Sequence, residues 1–394
     1  MGKDVKYIIN KSVRDNNDFY RFYNGHSISP VKQNIEDINI HYSRREKLYR
    51  QLGMSTKLFE NAEIIEVGPG SGYNTLAFFE WGAKHIDLVE ANPQGLKDMQ
   101  QLFTNRVIEK ERFEVYPCYI EEFYSEKKYD IVIAESFLQF LKNQQEVIEC
   151  LKNRVAIGGT IVITCSDEIC FFVEQMKRLL AWAFVRDIDQ YEKKVKVLAE
   201  QFAPQLASLR GVSRSPEEWV QDQLLNDAGI NGCSLSIENA IKYFGDEFDI
   251  LGGSPNMFTD YSWYKDIYYD YKSDYLKQFK KKNINLMLAN MNEEIEISEQ
   301  QNMELAQITK KIKEFAVKYE KSYEYFWIEE ILSQIESMQR ICKDKSKQLI
   351  EVIDEIKLAL SDLKIGKIDF NKYKSFFSAF GRTQQYISFV KKRY

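Results

Sequence analysis

Glycine and proline are distributed unevenly along this chain of 394 residues. Between Gly25 and Pro255 they recur at intervals, as they do where strands and helices alternate with tight turns. From Asn256 through Ile365 neither residue occurs. Because both residues disfavour helix interiors, a stretch this long without either predicts several long helices. The chain therefore divides into an alternating α/β part and a helical part.

The α/β part contains five short runs that are rich in β-forming residues and apolar on both faces, as in the middle of a parallel sheet. Helical patterns separate them. This rhythm predicts an α/β fold with a doubly wound, mostly parallel sheet that binds ligands at the carboxyl ends of its strands. Two later runs, Phe248–Leu251 and Gln385–Val390, are candidates for further strands. The five candidate strands are Glu63–Val67, Ile86–Glu90, Phe113–Tyr116, Asp130–Ala134 and Thr160–Thr164.

Four segments follow from these patterns. Residues 1–54 form an N-terminal helical cap, and residues 55–175 form the sheet core, completed by about 241–260 and 383–394. A helical insertion covers 176–240, and a large C-terminal insertion of long helices covers 261–382.

Two apolar stripes at helical spacing mark the C-terminal insertion, and the turn between them is predicted at Lys343–Lys347. They predict an antiparallel hairpin of helices packed on itself; the alternative is an arm that forms a homodimer. The stripes are Leu305, Ile308, Ile312 and Phe315, then Leu349, Ile353, Ile356, Leu360 and Leu363.

Composition narrows the classes of function. The net charge of −5 makes nucleic acid an unlikely partner. The six cysteines include no CxxC pair and there are only three histidines, so no metal site is expected. The scattered thiols indicate a reducing compartment. The first residues lack the apolar region of a signal peptide, and no run approaches the roughly 20 apolar residues of a membrane span. A soluble cytoplasmic protein is the expectation.

The strongest chemical signal is the sequence Glu66–Gly72 (EVGPGSG), which directly follows a strand and precedes a helix. Three glycines at alternate positions permit a tight turn and the close approach of a ligand to the backbone. Dinucleotide-binding loops have the spacing G-x-G-x-x-G, whereas the third place of that pattern is Tyr73 here. The acid at Glu66 suits a cationic ligand better than a diphosphate. The loop therefore favours a nucleoside without phosphates over NAD, with a β–α turn that binds nothing as the alternative.

Together with Glu90, which ends the second strand, this loop resembles motifs I and II of the class I (Rossmann-like) SAM-dependent methyltransferases, where SAM is S-adenosyl-L-methionine. The resemblance implies SAM as the cofactor, with Glu90 on the ribose hydroxyls and Ala91 along the adenine. The family's Gly-Asp pair is absent from Tyr116–Glu122. Tyr119 and Ile120 are expected to flank the adenine, and Glu135 to lie where the reactive methyl group is held. The implied cofactor-binding residues are Glu66, Gly68, Gly70, Gly72, Glu90, Ala91, Tyr119, Ile120 and Glu135.

Candidates for a catalytic base are His26, His41 and Glu135. The histidines have the alternative of being surface or capping residues. Arg45 is a candidate for holding an anionic group of the substrate. Tyr261 and Tyr264 belong to an aromatic run that could stack a sugar or a heterocycle, or could instead pack the insertion on the sheet.

The predicted function is SAM-dependent, in-line methyl transfer to oxygen or nitrogen of a small-molecule acceptor, such as a sugar or another metabolite. One alternative keeps SAM but transfers an aminopropyl or aminocarboxypropyl group, or methylates protein or RNA. The other is a helical scaffold with a vestigial nucleoside pocket.

Overall fold

The computed structural model describes residues 18–26, 33–207, 209, 214–229, 232, 234–267 and 271–393. The chain divides into two compact units. The first, the sheet unit, consists of Met1–Cys165, Asn239–Ser254 and Tyr386–Tyr394. The second, the helical unit, consists of Ser166–Glu238 and Pro255–Gln385.

The strands form a single seven-stranded sheet in the order β3-β2-β1-β4-β5-β7-β6. Strands β1 to β5 pair in parallel, and β6 and β7 pair antiparallel. The predicted doubly wound, mostly parallel sheet is therefore confirmed, and both late candidates are strands of it. The strands are β1 (Glu63–Val67), β2 (His85–Val89), β3 (Phe113–Tyr116), β4 (Tyr129–Ala134), β5 (Val155–Cys165), β6 (Phe248–Ser254) and β7 (Gln385–Lys391).

Helices alternate with the parallel strands and then dominate the rest of the described chain. In chain order they are α1 (Asp18–His26), α2 (Ile38–Gln51), α3 (Thr75–Glu80), α4 (Pro93–Asn105), α5 (Gln144–Lys152), α6 (Phe172–Phe184), α7 (Tyr191–Ala207), α8 (Pro216–Trp219), α9 (Ile237–Phe244), α10 (Tyr271–Lys282), α11 (Glu299–Ser322), α12 (Tyr325–Cys342), α13 (Lys347–Lys364) and α14 (Lys374–Ser378). Across the described ranges, no helix combines the length and the apolar character needed to cross a membrane.

One face of the sheet is covered by an aromatic core that fixes the position of α2. The Tyr49 ring of α2 packs edge-on against Phe59 and Phe78, at centroid distances of 5.3 and 5.7 Å. The strands contribute Ile64 of β1 and Ile133 of β4 to the same buried cluster. Alternate residues of a strand share a face, so Glu66 and Glu135, each two residues further on, face this side of the sheet.

The helical unit corrects the predicted hairpin. The two apolar stripes lie on α11 and α13, and α12 runs between them, so the chain makes three long helices instead of two. The predicted turn at Lys343–Lys347 exists but joins α12 to α13. The turn between α11 and α12, which the sequence did not predict, contains neither Gly nor Pro. It has Tyr323 in the left-handed conformation, with φ of 54°. Both stripes are buried within the unit, and a homodimer through this segment stays a prediction.

A fully buried arginine also holds the helical unit together. Arg178 of α6 donates to the carboxylate of Glu320 on α11 through Nε at 3.0 Å and Nη2 at 3.1 Å. Its Nη1 donates to the carbonyl oxygens of Leu224 and Asn226. A buried charge is tolerated when every donor has a partner, and this guanidinium meets that condition through bonds to separate segments of the unit.

Candidate cofactor and acceptor pocket

A narrow pocket with a cavity volume of about 70 Å³ opens in the sheet unit at the carboxyl ends of β1, β2 and β4. The strand order reverses between β1 and β4, and such a reversal leaves a crevice in which α/β proteins bind ligands. This volume lies below the range of about 300–1,000 Å³ that is typical of small-molecule sites. The lining residues are Tyr20, Tyr23, Val67, Gly68, Val89, Glu90, Ala91, Asn92, Cys118, Tyr119, Ile120, Glu135, Ser136 and Phe137.

The three glycines of the loop after β1 have different roles, although all have positive φ. Gly68 lines the pocket, and a Cβ atom there would lie 2.9 Å from the ring of Phe137. The N–H of Gly70 donates to Glu90 Oε2 at 2.7 Å. Gly72 packs against α4, where a Cβ would meet Met99 and Phe103 within 3 Å. Of the three, Gly68 is therefore the residue exposed to a ligand.

Glu90 is held at the end of β2 by backbone donors. Its Oε2 accepts from Gly70, and its Oε1 accepts from the N–H of Asn92 at 2.7 Å. Burial raises the pKa of Glu90, and these N–H donors oppose that shift. A carboxylate offers about four acceptor positions, so Glu90 keeps capacity for hydroxyl groups in the pocket. This geometry suits the predicted contact with the two ribose hydroxyls.

Aromatic side chains from two segments pack against each other in the lining of the pocket. The ring of Tyr20 on α1 packs edge-on against the ring of Tyr119, at a centroid distance of 4.7 Å. Tyr23, one helical turn after Tyr20, also lines the pocket, as does the buried Ile120. Tyr119 and Ile120 are thus placed where a flat heterocycle could lie between apolar surfaces.

Glu135, directly after β4, lines the pocket and is the centre of a buried network. Arg45 binds it with two nitrogens, Nη1 to Oε2 at 2.9 Å and Nη2 to Oε1 at 2.8 Å. The Tyr49 hydroxyl donates to Oε1 at 2.8 Å, and Asn74 Nδ2 makes a longer contact of 3.4 Å with Oε2. We call Arg45, Tyr49, Asn74 and Glu135 the Glu135 network. Each carboxylate oxygen of Glu135 thus accepts from two donors. This arrangement suits a carboxylate that stays fixed and charged better than one that takes up a proton as a catalytic base.

Glu66 lies on the same face of the sheet but does not line the pocket. The Thr75 hydroxyl donates to Glu66 Oε2 at 2.6 Å. Burial raises the pKa of Glu66 to about 8, with the negative charge of Glu135 acting in the same direction and the Thr75 bond opposing it. Glu66 is therefore mostly protonated at neutral pH. Its predicted contact with the cofactor remains a prediction.

The two histidine candidates differ in what the structure describes. His41 on α2 is buried, and its Nε2 lies 3.0 Å from the carbonyl oxygen of Tyr73, which fixes that nitrogen as the donor. Burial and then the charge of Arg45 lower the pKa of His41 to about 4, which is poorly matched to a base working near neutral pH. His26 is the last residue of α1, three positions beyond Tyr23, and its side chain lies outside the described residues.

The predicted substrate contacts belong to different units of the chain. The guanidinium of Arg45 is committed to Glu135, whereas the neighbouring Arg44 is exposed. Tyr261 and Tyr264 belong to the helical unit, where their exposed fractions are 92% and 68%. The same aromatic run begins with Phe258, which is buried against Tyr275. All three substrate assignments stay predictions.

Several residues of the site were not singled out from the sequence. Tyr20, Tyr23, Asn92 and Phe137 line the pocket, and Tyr49 binds Glu135. The i,i+3 spacing of Tyr20 and Tyr23, and the i,i+4 spacing of Arg45 and Tyr49, are signals of a shared helix face that could have drawn attention to them. Neither spacing indicates which distant residue that face meets.

Residues 41–200 match the family model of a methyltransferase domain. No curated protein matches the chain.

Solved structures with a similar arrangement include a S-adenosylmethionine-dependent methyltransferase from Listeria monocytogenes (15% identity, 32% of this chain and 57% of that one, TM-score 0.27). Another is the N-methyltransferase NodS from Bradyrhizobium japonicum WM9 with S-adenosyl-L-homocysteine (15% identity, 38% of this chain and 74% of that one, TM-score 0.31). A third is PKMT2 from Rickettsia typhi with AdoHcy (15% identity, 60% of this chain and 49% of that one, TM-score 0.39). The chain thus spans little more than half the length of the Listeria protein.

Proposed function

We propose that this chain, in which residues 41–200 match the model of a methyltransferase domain, is a class I SAM-dependent methyltransferase that transfers a methyl group to a small-molecule acceptor. SAM is the cofactor. The observation that carries the proposal is the pocket at the carboxyl ends of β1, β2 and β4, which is lined by both the bare backbone of Gly68 and Glu90.

The residues of the pocket fit SAM. Gly68 lines the pocket with bare backbone, because a Cβ there would meet the Phe137 ring, and Glu90 has unused acceptor capacity for the ribose hydroxyls. Tyr119 and Ile120 would hold the adenine, and the main chain at Gly68 would lie along the rest of the molecule. Bound SAM supplies an electrophilic methyl group on a sulfonium.

The role of the protein in such a transfer is mainly to position the acceptor and to exclude water. Tyr20, Tyr23 and Phe137 supply apolar lining, and Tyr23 is almost fully buried. A small molecule is the proposed acceptor because the pocket is narrow and its lining includes buried side chains such as Tyr23 and Ile120. Oxygen or nitrogen of a sugar or another metabolite remains the proposed acceptor atom, and His26 and His41 remain the candidate bases.

The cofactor is tested by thermal unfolding with SAM, S-adenosylhomocysteine or NADH. A ligand at 100 times its Kd stabilises the native state by about 2.7 kcal/mol, so the first two should raise the Tm and NADH should not. Glu90→Gln should abolish the shift. Asp130→Asn is the matched control, because Asp130 also accepts a backbone N–H, from Glu63, but at the amino end of β4. A shift with NADH alone, or none in the wild type, would contradict the proposal.

The transferred group and the acceptor class are tested together with two labelled forms of SAM, one labelled in the methyl group and one in the carboxyl group. Each is incubated with the protein and a cell extract, and the products are separated into small molecules, protein and RNA. The proposal expects label in small molecules from methyl-labelled SAM only. Label from carboxyl-labelled SAM would indicate aminocarboxypropyl transfer, and label in protein or RNA would exclude a small-molecule acceptor. Glu90→Gln serves as the inactive control.

A further inference from the structure

Two side chains of α2 meet the chain where it leaves β4. Arg45 and Tyr49 are one helical turn apart, and both bind Glu135, which lies 90 residues further along than Arg45. The guanidinium carbon of Arg45 also lies 5.0 Å from the centroid of the Tyr49 ring and 5.6 Å from that of Phe78. The planar group is thus held by aromatic contacts as well as by the carboxylate.

The network leaves Glu135 little freedom. Arg45 occupies one position on each carboxylate oxygen, and Tyr49 and Asn74 occupy the others. Burial raises the pKa of Tyr49 well above its usual range, so its hydroxyl stays protonated and donates. Bidentate arginine–carboxylate pairs have strict geometry, and the Glu135 side chain is therefore fixed in one orientation.

The residues after Glu135 adopt a conformation that needs such support. Ser136 has φ of 66°, which a residue with a Cβ atom adopts at a cost of about 1–2 kcal/mol. The next residue, Phe137, places its ring against Gly68, where a Cβ would lie 2.9 Å from the ring. Glu135, Ser136, Phe137 and Gly68 all line the pocket. Three consecutive residues, Glu135, Ser136 and Phe137, thus connect the Glu135 network to the glycine loop.

We propose that Arg45 and Tyr49 are positioning residues of the cofactor pocket: by holding Glu135 they fix Ser136 in the left-handed conformation and Phe137 against Gly68. These three residues then have their conformation before the ligand binds, which reduces the cost of ordering them on binding. This inference rests on the proposed function, since it concerns the affinity of the same pocket for SAM.

The main test is Tyr49→Phe, which removes one hydrogen bond to Glu135 and keeps the ring. Tyr129→Phe is the matched control, because Tyr129 is equally buried and its hydroxyl donates to Asp87 Oδ2 at 2.6 Å, away from the pocket. Both variants should lose comparable stability. Calorimetric titration with SAM and with S-adenosylhomocysteine should show about tenfold weaker binding in Tyr49→Phe and wild-type affinity in Tyr129→Phe.

Two further variants separate geometry from charge and test the link to Ser136. Arg45→Lys retains the positive charge and loses the two-pronged contact, so it should also weaken SAM binding by about tenfold while folding normally. Ser136→Gly, added to Tyr49→Phe, should restore part of the affinity, because glycine adopts the left-handed conformation without support.

The outcomes are distinguishable from a failure of the proposed function. If the wild type does not bind SAM, the proposed function itself fails. If the wild type binds SAM and Tyr49→Phe binds it equally well, or if Tyr129→Phe weakens binding to the same extent, the positioning role is overturned and the methyltransferase proposal stands.

Discussion

The hydroxyl group of Thr75 donates a hydrogen bond to the carboxyl group of Glu66 across 2.6 Å, and both side chains are buried. The acid that opens the glycine-loop motif thus has a protein partner of its own. Burial raises the pKa of Glu66 to about 8, so the group titrates within a range that is easily studied.

Glu66 should make the folded state less stable as the pH rises. Its pKa is about 8 in the folded state and about 4.5 when unfolded. The folded state therefore binds more protons between these values, and the free energy of unfolding should fall by about 1.4 kcal/mol per pH unit in the middle of that window. Urea unfolding between pH 5 and 8 measures this slope, which Glu66→Gln should reduce. Glu63→Gln is the control, because the pKa of Glu63 is lowered and that carboxylate is already ionised above pH 5. An unchanged slope in Glu66→Gln would contradict the assignment.

Gly68→Ala should abolish SAM binding and destabilise the fold. The added Cβ meets the Phe137 ring, and alanine at a φ of 70° costs about 1–2 kcal/mol in backbone energy. Gly245→Ala is the matched control, since φ is 63° there and an added Cβ meets nothing within 4 Å. Both variants should lower the Tm, and titration should show lost SAM binding in Gly68→Ala only. Loss of binding in both would mean that general destabilisation is the cause.

SAM should protect Cys118 from alkylation. This half-buried thiol lines the pocket, and burial followed by the charges of Glu122 and Glu121 raises its pKa. Reaction with N-ethylmaleimide should therefore accelerate as the pH rises from 7 to 9. Saturating SAM should slow the labelling of Cys118, read by mass spectrometry, and leave Cys150 unchanged, because Cys150 does not line the pocket. Equal protection of both cysteines would point to a global change in stability.

Arg178→Met should destabilise the helical unit by about 3–5 kcal/mol, because it leaves the buried carboxylate of Glu320 without its partner. Arg186→Met, two residues beyond the end of α6, is the control. Arg186 pairs with the exposed Asp187, and removing this ion pair should leave the free energy of unfolding nearly unchanged. Guanidinium unfolding followed by circular dichroism compares the two. If both variants lose similarly little stability, the buried bonds of Arg178 contribute little to the free energy of unfolding.

Much of the fold was readable from local patterns. Glu63–Val67 is a strand with the predicted bounds, because a largely buried run suits the interior of a parallel sheet. Phe113–Tyr116 also has the predicted bounds, although it is an edge strand with exposed middle residues. The three-helix arrangement was not readable, because the turn at Tyr323 relies on a left-handed tyrosine that no Gly or Pro announces.

The sequence by itself determined that a strand ends in a glycine loop, that a second strand ends in Glu90, and that these meet at one edge of a sheet. These features are local, because backbone sterics and strand periodicity depend on neighbouring residues. Only the tertiary structure decided that Arg45 and Tyr49 bind Glu135, that Glu66 bonds to Thr75, and that Tyr20 faces Tyr119. Those pairings depend on where helices settle against the sheet, and that is decided by the burial of the aromatic core around Tyr49 and Phe78, which is a property of the packed chain.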